Sequence, residues 1–435
     1  MKELFKDHLN RKLTYVRTLL EQERLDSLII DSGFPMDYFH DDQSAFFRPN
    51  PHFSHYCPDT QPGHLLQINN DGNPLLVYFQ PDDFWHEVRP LQTTFWDEFF
   101  DIKVVGKADE LWGQINISQG NHVCLTPAPE RAVEMGLDLV SEDFLSALNW
   151  GRISKTDYEV MCLRKANELA ALGHKAAAEA FFAGKSEREV FYAFMTGTQV
   201  LEKDFPYNPI IAFDEKSAIL HYQNTRTEGS GQTFLIDAGA SYNGYASDIT
   251  RTYFRDSVLD EFKQIHRGVD ESQQRLCQKI CAGHSYPSLQ EEAHFDIAKI
   301  LCDVGVVKGI GPEEVLELEL TNVFFPHGVG HALGLQVHDV GGKQKNEHGQ
   351  PVPANSKYPY LRTLRDIQER DVLTVEPGLY FIPMLLKPVE SASKMSQFLN
   401  RSLIDALKPF GGVRIEDDVF AGPSGPENLT RPYLP

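Results

Sequence analysis

Apolar residues recur at Phe5, Leu9, Leu13, Val16 and Leu20, which predicts an amphipathic helix. Leu28, Ile29 and Ile30 form a run of strand length closed by Asp31-Ser32-Gly33. An irregular, aromatic and Pro-rich stretch, 46–62, follows. Apolar runs at 65–68 and 75–79 flank Asn70-Asp71-Gly72, a hairpin signal. Strand-like pieces at 100–105 and 122–125 complete a first half that reads as mixed α/β.

The pattern changes near 150–155. Ser154-Lys155-Thr156-Asp157 opens a long helical period that runs to about Phe182, and Ser186-Glu187-Arg188-Glu189 is a capping-box sequence opening another helix. Strands are predicted at 210–213, 219–222, 233–237 and 245–254, helices at 260–281 and 289–304, and strands again at 372–382 and 412–420. The expected division is 1–153 and 154–435. The second half places a strand hairpin, two helices and further strands in an order that fits two similar halves. The fold class expected is α/β in the α+β sense.

Five side chains of metal-ligand type lie in this second half: Asp237 in LIDAG, Asp248 in SDITRT, His331 in HGVGHALG, Glu376 in VEPG and Glu416 in RIED. Asp237 and Asp248 flank Tyr242-Asn243-Gly244, so an antiparallel hairpin would oppose them at about 5 Å. Two bare carboxylates so close repel, and a cation removes the conflict. The alternative is a pair of exposed strand acids, against which Asp237 ends the apolar run Phe234-Leu235-Ile236. Glu376 and Glu416 also sit in apolar strands beside Gly or Pro. Four carboxylates match two divalent cations in charge, and an oxygen-rich set with one imidazole favours Mn²⁺, with Fe²⁺, Co²⁺ or Zn²⁺ as substitutes. His327 and His331 have zincin spacing, but Gly328 stands where the catalytic Glu belongs, and Gly328 and Gly330 disfavour the required helix.

Bulk properties narrow the field. The 435 residues are 41% hydrophobic and 24% charged, as in an ordinary globular protein of about two domains. A formal charge of −21 argues against nucleic-acid binding. No apolar stretch has the length of a membrane span, and the charged first twenty residues lack a signal-peptide core, so a cytoplasmic location is expected. Six cysteines make no disulfide framework or zinc spacing, and Cys277 and Cys281 read as small core residues on one helix face.

The ordered series LIDAG, SDITRT, PHGVGHALGLQVHDVGG, LTVEPGLYFI and FGGVRIEDD resembles the pita-bread metallopeptidases. Within them it is similar to the Xaa-Pro dipeptidase (prolidase) family, including bacterial enzymes described as organophosphorus acid anhydrolases. The strong match spans about 205–420, and a weaker one covers a creatinase-like N-terminal domain. The resemblance implies a curved, mainly antiparallel sheet backed by helices and two Mn²⁺ per subunit. Asp237 would hold one metal, Asp248 and Glu416 would bridge both, and His331 and Glu376 would complete the other shell. Glu376 would move the proton to the leaving nitrogen and His338 would stabilise the oxyanion. His221, His327, Arg362, Arg414 and Tyr207 match substrate-side residues, and Asp42 matches an acid that reaches the partner subunit's site in a homodimer. The implied activity is hydrolysis of Xaa-Pro dipeptides, with phosphotriesters as a side substrate. An aminopeptidase P acting on longer Xaa-Pro peptides and a non-catalytic binding module are the alternatives.

Overall fold

The computed structural model describes residues 1–435 except His86, Arg89, Gln92, Thr93, Ser118, Gln119, Ala392 and the side chain of Ser393. It forms two compact units: residues 1–161 with 344–350, and residues 162–343 with 351–435.

In the first unit the helix Lys2–Glu23 buries the apolar seam Phe5, Leu9, Leu13, Val16 and Leu20, and ends on Arg24 in the left-handed conformation. A six-stranded mixed sheet follows: β1 (Ser27–Asp31), β2 (Leu65–Asn69), β3 (Leu75–Phe79), β4 (Asp101–Val105), β5 (His122–Leu125) and β6 (Asp138–Leu139), in the order β4-β3-β2-β1-β5-β6. β2 and β3 form the expected antiparallel hairpin, with Leu66 opposite Leu76. The irregular stretch contains one short helix, Pro51–Ser54, whose Asn50 cap accepts the His52 N–H.

A buried charge cluster ties this unit together. Glu159, 1% exposed, accepts the Thr156 N–H at 2.8 Å and lies 3.1 Å from Lys12 Nζ, 3.6 Å from His8 Nδ1 and 3.5 Å from His55 Nε2. Burial pulls the Glu159 carboxyl upward, but Lys12 and the histidines override it and hold the group well below its usual range.

The second unit takes residues 162–182 of the long helix Asp157–Phe182, followed by the helix Glu187–Thr198, which opens with the capping box at Ser186 and Glu189. Its first sheet contains β7 (Ile210–Phe213), β8 (Thr233–Asp237) and β11 (Thr250–Phe254) in the antiparallel order β11-β8-β7, and β9 (Ser241–Tyr242) and β10 (Tyr245–Ala246) extend the hairpin. Asn243 and Gly244 both have positive φ, the two-residue turn that suits strand twist. Two helices, Asp260–Cys277 and Tyr286–Asp303, precede β12 (Val372–Val375), β13 (Gly378–Tyr380), β14 (Gly412–Arg414), β15 (Asp417–Gly422) and β16 (Gly425–Asn428). β12, β15 and β16 make a second antiparallel sheet, and β13 pairs with β14. The helices supply Phe262, Ile265, Val269, Leu276, Leu289 and Ile297 to a core shared with Leu373, Val375, Val413, Ile415 and Val419.

Five sequence expectations are corrected. Residues 219–222 form no strand: the 3-10 helix Asp214–Ala218 turns the chain there, pinned by Ser217 Oγ on the Asp214 carbonyl. The strand at 245–254 is interrupted at 247–249, that at 372–382 at Glu376-Pro377, and that at 412–420 at Ile415-Glu416. Each interruption carries one of the acids singled out above. The helix expected over 260–281 ends at Cys277, so Cys281 lies past it, partly exposed rather than in the core. The six cysteines are free. Among the described residues no helix is long and apolar enough to cross a membrane.

Removing one partner of a buried ion pair strands the other. Glu159→Ala is expected to cost about 3–5 kcal/mol, through a desolvated Lys12. Denaturant unfolding at pH 7 measures it.

Candidate metal centre

The hairpin keeps one register across its turn: Asp237 pairs with Thr250, Ala238 N donates to the Ile249 carbonyl, and Ser247 N donates to the Ala240 carbonyl. Asp237 and Asp248 are therefore diagonal neighbours on one face, not directly opposed as the sequence suggested. Gly239 faces Asp248, and a Cβ there would lie 1.9 Å from the Ser247 carbonyl oxygen. The glycine of LIDAG lets the two chains close against each other. Asp248 Oδ1 accepts the Tyr207 hydroxyl at 2.6 Å, and Oδ2 lies 3.3 Å from His331 Nε2.

His331 arrives on an irregular loop stitched to β12. Its N–H donates to Thr374 Oγ1 at 3.1 Å, its carbonyl accepts the Thr374 N–H, and Glu376 N donates to the Val329 carbonyl. At Gly330 φ is 150°, and a Cβ would lie 2.2 Å from the Thr374 carbonyl oxygen, so only glycine fits. His331 Nδ1 lies 3.1 Å from the Ala332 carbonyl, which only accepts. Nδ1 therefore carries the hydrogen, and in the neutral ring the Nε2 lone pair faces Asp248 and Glu376 Oε1, the latter 3.8 Å away. Glu416 is set from the other side: its N–H donates to the Thr250 carbonyl at 3.0 Å, and Oε2 accepts the Thr250 hydroxyl at 2.7 Å. Ligand atoms of Asp248, His331 and Glu416 all lie within 4.8 Å of one another.

The electrostatics describe acids crowded without enough positive charge. Burial, reinforced by Asp248 and Asp237, pushes Glu376 up to about 7 against the pull of His331 and Arg414. Burial and the neighbouring Asp248, Glu376 and Asp237 lift Glu416 well above its usual range. Asp237 is also raised by burial, although Arg414 Nη2 donates to its Oδ2 at 2.5 Å. Asp248 goes the other way, because His331 and Tyr207 outweigh its burial. Asp237 Oδ1 is buried without a hydrogen-bond partner. An orphaned carboxylate oxygen beside three more acids and one imidazole is a donor set suited to hard divalent cations.

The remaining sequence candidates divide. His327 accepts at Nε2 from the Tyr380 hydroxyl at 2.8 Å, holds its Nδ1 hydrogen on the Gly328 carbonyl, and lies 3.5 Å from Glu376 Oε2. Burial and Arg414 keep it neutral, with its pKa down to about 3. His338 packs edge-on to His331, ring centres 4.5 Å apart, and burial, His331 and Arg362 lower it to about 4. Arg414 is buried among Asp237, the Tyr380 hydroxyl and the Thr250 hydroxyl rather than open to solvent. Arg362 and His221 are exposed, His221 on the turn that replaces the expected strand. Neighbouring Arg365 is buried in a bidentate pair with Asp371 at 2.6 and 2.9 Å. Asp42 is exposed on a loop of the first unit.

Sequence reasoning missed the supporting polar groups. Tyr286, Gln290 and His294, four residues apart, form a buried polar seam on one helix. Gln290 holds both the Val329 N–H and the His327 carbonyl, and the Tyr286 hydroxyl donates to the Thr374 carbonyl. The i, i+4, i+8 spacing was the available signal. Tyr380, which serves both His327 and Arg414, sat in the quoted LTVEPGLYFI motif unread.

A sequence model described as metallopeptidase family M24 matches residues 161–422, and one described as the Xaa-Pro dipeptidase N-terminal domain matches residues 3–150. The chain is 41% identical to a protein of Enterobacter sp. (strain 638) named Xaa-Pro dipeptidase, over 98% of each chain. It is 39% identical to one of the same name from Pseudoalteromonas atlantica, over 99% of this chain and 98% of that one. Among solved structures, proline aminopeptidase P II from Yersinia pestis superposes with a TM-score of 0.73 at 22% identity, covering 100% of this chain and 97% of the other. Zn-substituted E. coli aminopeptidase P in complex with product gives 0.71 at 21%, covering 100% and 96%. At this identity the structural likeness establishes the fold alone.

Two outcomes are expected. Protons on Glu376 and Glu416 must leave before a cation binds, so divalent-metal affinity should rise with pH from 5 to about 7.5; titration calorimetry on the metal-depleted protein tests the sign. Gly330→Ala should displace His331 and lower both stability and metal affinity, read by thermal melts with and without Mn²⁺.

Proposed function

The chain belongs to metallopeptidase family M24, and on that premise we propose that it hydrolyses Xaa-Pro dipeptides to release C-terminal proline. The observation that carries this reading is the buried convergence of Asp248, His331 and Glu416, with Glu376 and the orphaned Asp237 oxygen beside them. Full-length relatives at about 40% identity that carry the dipeptidase name support the substrate class.

In this reading two Mn²⁺ ions are the natural cofactor. Asp237 would hold one, His331 and Glu376 would hold the other, and Asp248 and Glu416 would contribute to both; Co²⁺, Fe²⁺ or Zn²⁺ could substitute. Divalent cations bound there supply Lewis acidity and a water acidified toward neutral pH. The chain's own groups do the rest. Glu376 takes and returns a proton, delivering it to the proline nitrogen as the bond breaks. His338, neutral beside His331, presents a ring N–H to the developing oxyanion. A peptide bond to proline has no N–H, so recognition falls on the termini. Exposed Arg362, with His221, clamps the free carboxylate, while the neutral His327 lines the substrate pocket. Buried Arg414 and half-buried Tyr207 hold Asp237 and Asp248 in place.

The proposal takes residues 1–153 as a dimerisation domain and 154–435 as the catalytic domain of a cytoplasmic homodimer, with exposed Asp42 contributing to the partner's site. It extends to slow phosphotriester hydrolysis, because tetrahedral phosphorus has the geometry of the peptide intermediate.

The test is a Mn²⁺-supplemented panel of Leu-Pro, Gly-Pro, an Xaa-Pro tripeptide and a phosphotriester. Dipeptides should be cut fastest; faster tripeptide cleavage would move the enzyme to the aminopeptidase P class. Asp248→Ala should fall to background. Arg362→Ala should raise KM about 10–100-fold with kcat little changed, the loss of one charge-assisted carboxylate contact.

A further inference from the structure

Asp248 stands in the interruption between β10 and β11, where the main-chain groups of Ser247 and Ile249 bond to Ala240 and Ala238, just past the end of β8. Alternation along the strand turns the Asp248 N–H the other way, off the hairpin's outer edge. One step further on, that edge is paired: Thr250 forms an antiparallel bridge with Glu416 and accepts its N–H. Two residues beyond Glu416 the partner chain has left, because β15 pairs with β12 there, Asp418 lying opposite Thr374. The Asp248 N–H would face a gap, and a buried N–H without an acceptor is costly.

The side chain of Asp418 closes that gap. It is fully buried, and its Oδ2 accepts the Asp248 N–H at 3.1 Å and the Asn167 amide at 2.8 Å. Asn167, also fully buried on the helix Asp157–Phe182, accepts the Thr430 hydroxyl at 2.6 Å, and Thr430 Oγ1 accepts the Asp418 N–H at 3.0 Å. The three residues form a closed ring, and its contact with the main chain carrying Asp248 is made by Asp418 Oδ2. Asp417 points into a separate network with Arg251, Arg431 and Asn428. The adjacent acids therefore have different partners, and only Asp418 touches Asp248.

We infer that Asp418, held by Asn167 and Thr430, is a positioning residue of the metal centre that fixes Asp248 through its backbone N–H. This rests on the reading of Asp248 as a metal ligand. It goes beyond that reading by giving the ligand's placement to a side chain outside the five.

The experiment is calorimetric titration of Mn²⁺ into the metal-depleted full-length protein, with near-UV circular dichroism as the check of fold. Asp418→Ala should weaken Mn²⁺ binding about 10–100-fold, the usual loss for an outer-shell partner. Asp418→Asn, which keeps an acceptor for the Asp248 N–H, should recover most of it. Asp371→Asn, a buried acid paired with Arg365 away from Asp248, should lower the melting temperature yet leave affinity within about two-fold. If Asp418→Ala fails to fold, Asn167→Ala takes its place, with a loss of about 3–10-fold expected. Wild-type affinity in a folded Asp418→Ala, or in that Asn167→Ala substitute, would overturn the inference, as would an equal loss in Asp371→Asn. A wild-type protein that binds no divalent metal refutes the metal reading itself, whereas failure of Xaa-Pro cleavage alone leaves the calorimetric result standing.

Discussion

Burying several carboxylates within a few ångströms of one another is the constraint from which the second unit takes its form. Like charges in a low-dielectric interior drive each other's pKa upward, and Glu376 and Glu416 show it. Arg414 and His331 offset only part of the crowding. The fold tolerates the arrangement because each acid is held by its backbone: Glu376 on Val329, Glu416 on Thr250, and Asp248 on the Asp418 side chain. A cluster that is electrostatically unfavourable when empty gives a cation a large gain on binding.

Glycine is the second requirement. Gly239 and Gly330 stand where two main chains pass too close for any side chain, one against Ser247 and the other against Thr374. Both contacts bring a ligand-bearing segment onto its neighbour. The strand breaks at Asp248, Glu376 and Glu416 follow the same logic. A residue in a regular ladder points perpendicular to the sheet, while one at an interruption can be aimed inward.

Much of this was legible in the sequence. Apolar periodicity found the seam of the first helix, the hairpin at 65–79, the helix over 157–182 and its capping-box neighbour, because each depends on local spacing. The acids among the ligand-type residues stood out because a carboxylate in or beside an apolar run is conspicuous, and His331 because it sits in a glycine-rich HGVGH motif. The breaks in the strands were not legible: Tyr245 to Phe254 has unbroken strand character, and only the tertiary approach of Gly239 reveals the gap. The turn at 219–222 was missed because Ile219-Leu220 reads as strand until Ser217 caps the preceding turn. Polar supports such as Gln290, Asn167 and Asp418 gave no signal, since a buried polar side chain looks like a surface one until its partners, up to 263 residues away, are known.

The acids that meet in the second unit come from the end of β8 and from three breaks between strands far apart in the chain. While the chain is being synthesised, each is solvated separately and exerts no strain on its neighbours. Asp237 and Asp248 crowd each other once their hairpin closes, and the rest of the repulsion is felt when the segments carrying Glu376 and Glu416 close over it. A cation arriving at that moment acts as a late folding partner, and starvation for divalent ions would slow maturation of the protein as well as its turnover.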